Sequence, residues 1–239
     1  MRAAAIDAHA LTDALMVGID RATESRWEAA VERAAALPGA VRPQKVKALT
    51  DMFARELATV GAATGAAAAA PAVGTGATLF AAAAELAWFT ARMGDFILTM
   101  AALHGRTAPT LDERRAWVLA VLIFGSSARE GFTSAAKQLG LELEQPNTRV
   151  PLGTLRAING MFTNKLLRRY GTKRGAIALG TALPLGVGAA IGGAANYSAV
   201  RTLSKNADRF FSKLPYSTIE TTATETTATE TTATEQPTP

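Results

Sequence analysis

A charge-free stretch in the C-terminal third of the chain constrains the fold more than any other feature. None of residues 175–200 is charged, and Pro184, Gly188, Gly192 and Asn196 follow one another at intervals of four. Positions four apart lie on one face of a helix. Beyond the proline this face carries little side-chain bulk, so another helix can approach its backbone closely. The pattern predicts helix packing through these four residues, and it indicates no chemistry.

The composition favours helices along the whole chain. Hydrophobic residues make up 49% of the 239 positions; alanine is the most frequent of them, and only 6% of the chain is aromatic. Alanine has the highest helix propensity, and no run alternates valine, isoleucine and threonine as a strand does. We therefore predict an all-α helical bundle.

Prolines and glycines divide the predicted bundle into helices. Two uncharged tracts, residues 57–84 and 175–200, each contain a proline followed by glycines, which predicts two helix-break-helix elements. Thr110 and Glu113 have the spacing of a capping box at a helix start. Hydrophobic periodicity predicts the other helices over residues 6–37, from 44 into the first tract, 78–103, 110–139, from 151 through 166, and to about 214.

The segment after the last predicted helix differs from the rest. Residues 221–235 repeat Thr-Thr-Ala-Thr-Glu three times. With the preceding Glu220 the segment has four glutamates, Glu220, Glu225, Glu230 and Glu235, and no base among them. Without large apolar side chains the segment cannot offset its ordering entropy, so we predict a disordered tail. The predicted organisation is an N-terminal amphipathic helix and linker (1–43), an all-α domain (44–216) and this tail (217–239).

Positive charge is concentrated around the second uncharged tract. The chain has a net charge of +5, which becomes +9 without the four tail glutamates. Between Arg149 and Lys213 the only acid is Asp208, and bases lie on both sides of the tract. Arg201, Lys205, Arg209 and Lys213 are spaced by four, so we predict that they form one face of a helix that contacts an anionic membrane surface or a partner.

Three interpretations of the uncharged tracts remain open. Twenty-six residues are long enough for one membrane span, but Pro184 and its glycines suggest a glycine-rich hairpin whose arms, about 20 Å each at 1.5 Å per residue, are too short to cross. Equal positive charge at both ends favours a hairpin, because both ends then stay on the cytoplasmic side. The third interpretation is a soluble helical core packed through small residues.

The sequence indicates no catalytic group, cofactor or metal site. Cysteine is absent and the two histidines, His9 and His104, are far apart. His104 precedes a glycine, where we expect it to cap helix carbonyls. Glu85, Arg92 and Asp95 are charges within an apolar helix; they predict a buried structural network, with a polar ligand pocket as the alternative. No nucleic-acid-binding motif accompanies the basic region.

The order of these features resembles the EcsC family of bacterial proteins. The resemblance rests on the glycine-rich residues 61–76, on Ala102-Leu-His-Gly105, on Asp112-Glu-Arg114, on the series from Pro184 to Asn196, and on Ala207 with Phe210 or Phe211. It covers roughly residues 44–214; His104 stands where the family often has tyrosine.

What the resemblance implies is an association rather than a reaction. The family is named after a protein encoded beside the subunits of an ABC transporter, and it transfers no catalytic residues. We therefore expect a non-enzymatic cytoplasmic protein that associates peripherally with the inner membrane or with a membrane complex, such as an ABC transporter. The alternative is a soluble ligand-binding protein or enzyme with a pocket around Glu85, Arg92 and Asp95.

Overall fold

The computed structural model describes residues 8–68, 75–143, 148–170, 189–214 and 216–219. The prediction of an all-α bundle is confirmed. The helices are α1 (Ala8–Ser25), α2 (Trp27–Ala36), α3 (Arg42–Ala68), α4 (Thr75–Leu103), α5 (Leu111–Phe124), α6 (Ala128–Gln138), α7 (Leu152–Tyr170) and α8 (Ala189–Ser212). Two short strands, β1 (Thr148–Pro151) and β2 (Tyr216–Ile219), complete the described elements.

Two of the predicted helices are each divided into two. The helix predicted over residues 6–37 breaks at Arg26, whose backbone leaves the helical region (φ −117°, ψ 11°) between α1 and α2. The helix predicted over residues 110–139 breaks at Gly125, where φ is +56° and a short 3₁₀ turn separates α5 from α6. A positive φ is accessible to glycine at little cost, so this position can end α5.

The predicted capping box at the start of α5 is confirmed. The Thr110 hydroxyl oxygen accepts a hydrogen bond from the Glu113 backbone N–H at 3.2 Å, and the Thr110 N–H donates to Glu113 Oε2 at 2.8 Å. The two residues thus satisfy backbone donors that a helix start otherwise leaves open.

Helices α1 and α4 run parallel and pack unusually closely. A Cβ atom added at Gly18 of α1 would lie 2.6 Å from the Ala87 carbonyl oxygen and 2.6 Å from Thr90 Cβ. A Cβ at Gly94 of α4 would collide with the Cβ of Ala22. The absence of side chains at these two glycines therefore sets the separation of the helix pair.

Helix α3 lies antiparallel to both α4 and α8. Phe53 of α3 meets Phe96 of α4 edge to face, with ring centres 5.3 Å apart. Towards α8, Thr50 bonds Ser204 and Leu57 bonds Asn196, so residue numbers rise along one helix as they fall along the other. Together α3 and α8 form the most extensive helix pair of the described structure.

The N-terminal helices belong to the same hydrophobic core as the rest. Leu15, Ile19 and Trp27 are buried in one cluster with residues of α3, α4 and α8. Both α1 and α2 pack on α4. The segment predicted as a separate N-terminal unit, residues 1–43, thus supplies part of the core through its described portion.

The strands correct the predicted start of the tail. β1 and β2 pair in parallel, with Arg149 opposite Ser217, Val150 opposite Thr218 and Pro151 opposite Ile219. Residues 217–219, predicted to be disordered, are therefore held by backbone pairing. The predicted disorder of residues 220–239 lies outside the described residues.

Candidate membrane-contact surface

Helix α8 is amphipathic, as its sequence predicts, and its two faces have different environments. The bases Arg201, Lys205 and Arg209 are exposed, as is Lys213 directly after the helix. The opposite face is buried in the protein core through Leu203, Ala207, Phe210, Phe211 and Leu214. While the protein is folded, this apolar face is therefore covered by protein and only the basic face is open to a partner.

Two buried hydrogen bonds fix α8 on α3. Asn196 is 3% exposed, and its Nδ2 donates to the Leu57 carbonyl oxygen at 2.8 Å. About two turns further along α8, the hydroxyls of Ser204 and of Thr50 on α3 lie 2.7 Å apart in a buried contact. Buried polar groups with partners specify one arrangement of the helices, because leaving them unbonded costs free energy.

The structure describes part of the predicted small-residue series. Asn196 is buried against α3, as a helix-packing residue should be. Gly192 lies near the start of α8, in a part of the helix (191–193) whose side-chain environment is outside the described residues. Pro184 and Gly188 precede the described part of α8, so close packing at Gly188 and Gly192 stays a prediction.

Three helices share a charge-free end of the bundle. We define this end by residues 57–68 of α3, 75–84 of α4 and 189–200 of α8, which contain no Asp, Glu, Lys or Arg. The Asn196–Leu57 bond sets the α3 and α8 segments side by side. The α4 segment follows α3 after a six-residue connection, and Glu85 bounds it.

Helix α1 runs parallel to α4, with Gly18 against Ala87 and Thr90, so its N-terminal turns flank the α4 part of this end. It packs on α4, α5 and α7, and the substantial helix contacts of α3 are with α4 and α8. The exposed Asp13 of α1 therefore does not interrupt the α3–α8 side of the charge-free end.

Basic and aromatic side chains mark the boundary of the charge-free end. The Arg201 guanidinium carbon lies 5.4 Å from the ring centre of Tyr197, an exposed cation–π contact on α8. On α3, Lys47 bonds Asp51 at 2.6 Å, and this hydrogen bond lowers the pKa of Asp51, with further contributions from the charges of Arg201 and Arg55. The surface that adjoins the charge-free end at Arg201 is thus positive and includes bases from α3 and α8.

An open surface pocket of about 430 Å³ adjoins this positive region. It lies along α3 and the α2–α3 connection, and the side chains of Gln44, Lys47, Asp51, Met52 and Arg55 supply most of its lining. Within the described part of the chain, no three histidine or carboxylate side chains come together as a metal site would require.

The polar cluster on α4 includes the predicted Arg92 and Asp95 and a further acid, Glu56 of α3. Arg92 donates to both carboxylate oxygens of Glu56, at 2.9 and 2.6 Å, and to Asp95 Oδ2 at 2.7 Å. Arg26 donates to the same Asp95 oxygen at 2.7 Å. The side chain of Glu85 is outside the described residues, and Glu56 of α3 was missed because its partner is 36 positions away.

This cluster connects α2, α3, α4 and the junction between α1 and α2. Burial alone would lower the pKa of Arg92, but its bonds to Glu56 and Asp95 outweigh burial and raise that pKa. Arg33 of α2 bonds the Thr99 hydroxyl at 2.9 Å, and burial lowers its pKa. The donors of Arg92 are used on carboxylates of the protein itself, which favours the predicted structural network over a ligand pocket.

His104 joins the end of α4 to α8 instead of capping its own helix through the side chain. The imidazole is 2% exposed, and its Nε2 lies 2.9 Å from Asp208 Oδ1. Burial lowers the pKa of His104, although the adjacent Asp208 opposes this shift. Sequence spacing offered no signal for a pair separated by 104 positions.

One helical segment among the described residues is long and apolar enough to cross a membrane by length and composition. This segment, Leu86–Leu103 of α4, is 78% buried inside the protein. It packs against α1, α2 and α3, and core helices of this kind pass the same length test.

Comparison with known proteins adds no relative to this picture. No protein-family model, curated protein or solved structure matches the chain.

Proposed function

We propose that the protein associates peripherally with the cytoplasmic face of the inner membrane by inserting its charge-free end into one leaflet. The observation that carries this proposal is the antiparallel packing of α3 against both α4 and α8, which gathers the described parts of the two uncharged tracts at one end. Separately each tract is a weak membrane signal, whereas together they place three helix segments without a charged residue at one end.

The length of the charge-free end suits a half-bilayer. Its α3 and α8 segments have twelve residues each, which at 1.5 Å per residue is about 18 Å. One leaflet contributes about 15 Å of the roughly 30 Å hydrocarbon core. Insertion to this depth would leave Tyr197 and Arg201 at the level of the headgroups, where aromatic and basic side chains are favoured.

The exposed bases of α8 supply the second contribution to binding. A Lys or Arg near an anionic membrane surface contributes about 1 kcal/mol, and salt screens the attraction. Arg201, Lys205, Arg209 and Lys213 are all exposed. Binding should therefore need anionic lipid and weaken as salt is raised.

The resemblance to the EcsC family supports the same location with a different receptor, a membrane protein complex such as an ABC transporter. Both receptors would meet the same basic and charge-free surfaces. Protein-free vesicles separate them: binding to protein-containing membranes without binding to vesicles of the same lipids would assign the contact to a protein.

Co-sedimentation with protein-free vesicles tests the basic face. The parent should bind vesicles containing phosphatidylglycerol and leave the pellet at high salt. Lys205→Ala combined with Arg209→Ala should weaken binding about tenfold or more, at about 1 kcal/mol per base. The control removes two exposed bases elsewhere, with Arg21→Ala and Lys137→Ala, and should bind like the parent.

A second pair of variants tests insertion of the charge-free end. Ala63 on α3 and Ala157 on α7 are both exposed helical alanines. Ala63→Asp puts a charge into the proposed membrane layer and should weaken binding, whereas Ala157→Asp should not. Equal effects of the two substitutions, or no binding of the parent to anionic vesicles, would refute insertion of this end.

A further inference from the structure

The bases on the basic face of α8 form no salt bridge with another described residue. The four bases, Arg201, Lys205, Arg209 and Lys213, are exposed and extend over twelve residues, or about 18 Å of helix. Two acids near this face already have partners: Asp208 of α8 bonds His104, and Asp51, on which the charge of Arg201 acts, bonds Lys47. The face therefore suits a flexible polyanion of similar length.

The chain itself contains an acidic segment whose composition predicts flexibility. Residues 220–239 carry no base and four glutamates, and the α8 face likewise has four bases. The segment begins directly after β2, whose pairing with β1 fixes Ile219, and Glu220 is seven positions after Lys213. Its origin is thus close in sequence to the end of the basic face.

The dimensions of the two surfaces are compatible. A flexible chain of fifteen residues, the separation of Glu220 from Glu235, has an end-to-end distance of about 20 Å, close to the length of the basic face. Covalent attachment gives a tethered segment an effective concentration in the millimolar range, so individually weak ion pairs can compete with a ligand from solution.

We propose that the acidic segment 220–239 lies against the basic face of α8 and competes there with anionic lipid headgroups. The contact is a mobile, charge-driven one, because glutamates five apart cannot match bases four apart on a helix in a fixed register. The competition with lipid depends on the proposed membrane association, but the contact within the protein does not.

The contact is tested without a membrane. The chain has no cysteine, so Ala228→Cys accepts a single nitroxide label in the middle of the segment. At about 50 mM salt, the label should broaden the amide resonances of Arg201, Lys205 and Arg209. Replacing all four glutamates with glutamine in the labelled protein should abolish the broadening.

Two controls make this measurement specific. Lys137 on α6 is an exposed base away from the α8 face and should not be broadened. Labelled, isotope-free protein mixed with isotope-labelled parent should show no broadening, because the contact is within one chain. Equal broadening at Lys137, broadening only in the mixture, or none at Arg201, Lys205 and Arg209 would each overturn the proposal.

The competition is tested with vesicles. Deletion of residues 220–239 and the fourfold glutamate-to-glutamine variant should both bind phosphatidylglycerol vesicles more tightly than the parent, by at least about fivefold if several exposed pairs are released. If both variants bind vesicles with the affinity of the parent while the broadening is present, the competition with lipid is refuted and the contact within the protein stands. If neither the parent nor the two variants bind vesicles, the proposed function is refuted, and the label experiment still decides whether the acidic segment contacts α8.

Discussion

Replacing Gly18 with alanine should destabilise the protein although alanine is the better helix former. The added Cβ would lie 2.6 Å from the Ala87 carbonyl oxygen and from Thr90 Cβ. Ordinary contacts of a Cβ begin near 3.4 Å, so α1 and α4 would have to separate by roughly 0.8 Å. The carbonyl oxygen belongs to the backbone of α4 and cannot rotate away, which leaves the helices themselves to move.

The two opposing contributions can be compared. Overpacking a core costs about 1–3 kcal/mol, and the rigid backbone contact at Gly18 favours the upper half of that range. The gain in helix propensity is about 1 kcal/mol. We expect a net loss of about 1–2 kcal/mol, which for a chain of this size lowers Tm by about 2–8 °C.

Gly160 provides the matched control for this substitution. It lies within α7, and a Cβ added there meets no atom within 4 Å. Gly160→Ala should therefore raise Tm through propensity alone, by about 2–4 °C. Thermal unfolding followed by circular dichroism measures both variants. A Gly18→Ala protein that melts at or above the parent temperature would show that the α1–α4 separation is not set by this glycine.

Three further substitutions test individual contacts. Asn196→Leu removes the bond to the Leu57 carbonyl and should cost about 1–3 kcal/mol in urea denaturation. Thr110→Ala removes the capping-box acceptor and should cost about 1 kcal/mol in the same assay. Because burial lowers the pKa of His104, the unfolded chain binds more protons in acid; stability should fall as pH drops below about 6.5, by at most about 1.4 kcal/mol per pH unit, and His104→Gln should flatten that slope.

Local sequence signals predicted the features that depend on neighbouring residues. The capping box of α5 needs only Thr110 and Glu113, three positions apart, and the pairing of Arg92 with Asp95 is likewise a contact of one helical turn. The division of α8 into basic and apolar faces follows from helical periodicity in the same way. In each case the physical cause lies within one helix.

Contacts between distant residues could not be predicted from the sequence. Arg26 ends α1 while its side chain reaches Asp95, 69 positions away, so the helix break depends on a partner that periodicity does not reveal. Glu56 joins Arg92 for a similar reason. The strands β1 and β2 are short and paired across most of the C-terminal half, and neither has the alternating pattern that marks a strand.

The buried face of α8 decides how this helix can meet a membrane. Leu203, Phe210, Phe211 and Leu214 are each worth about 1.5–3 kcal/mol when taken out of water. Transfer of this face from the core to lipid would change that contribution little, because both environments are apolar. Detachment would, however, expose apolar residues of the remaining core cluster to water and break the Asn196–Leu57 bond. The helix therefore stays docked, and in the proposed membrane contact its part from Arg201 to Lys213 would act through charge, while residues 189–200 would belong to the inserted end.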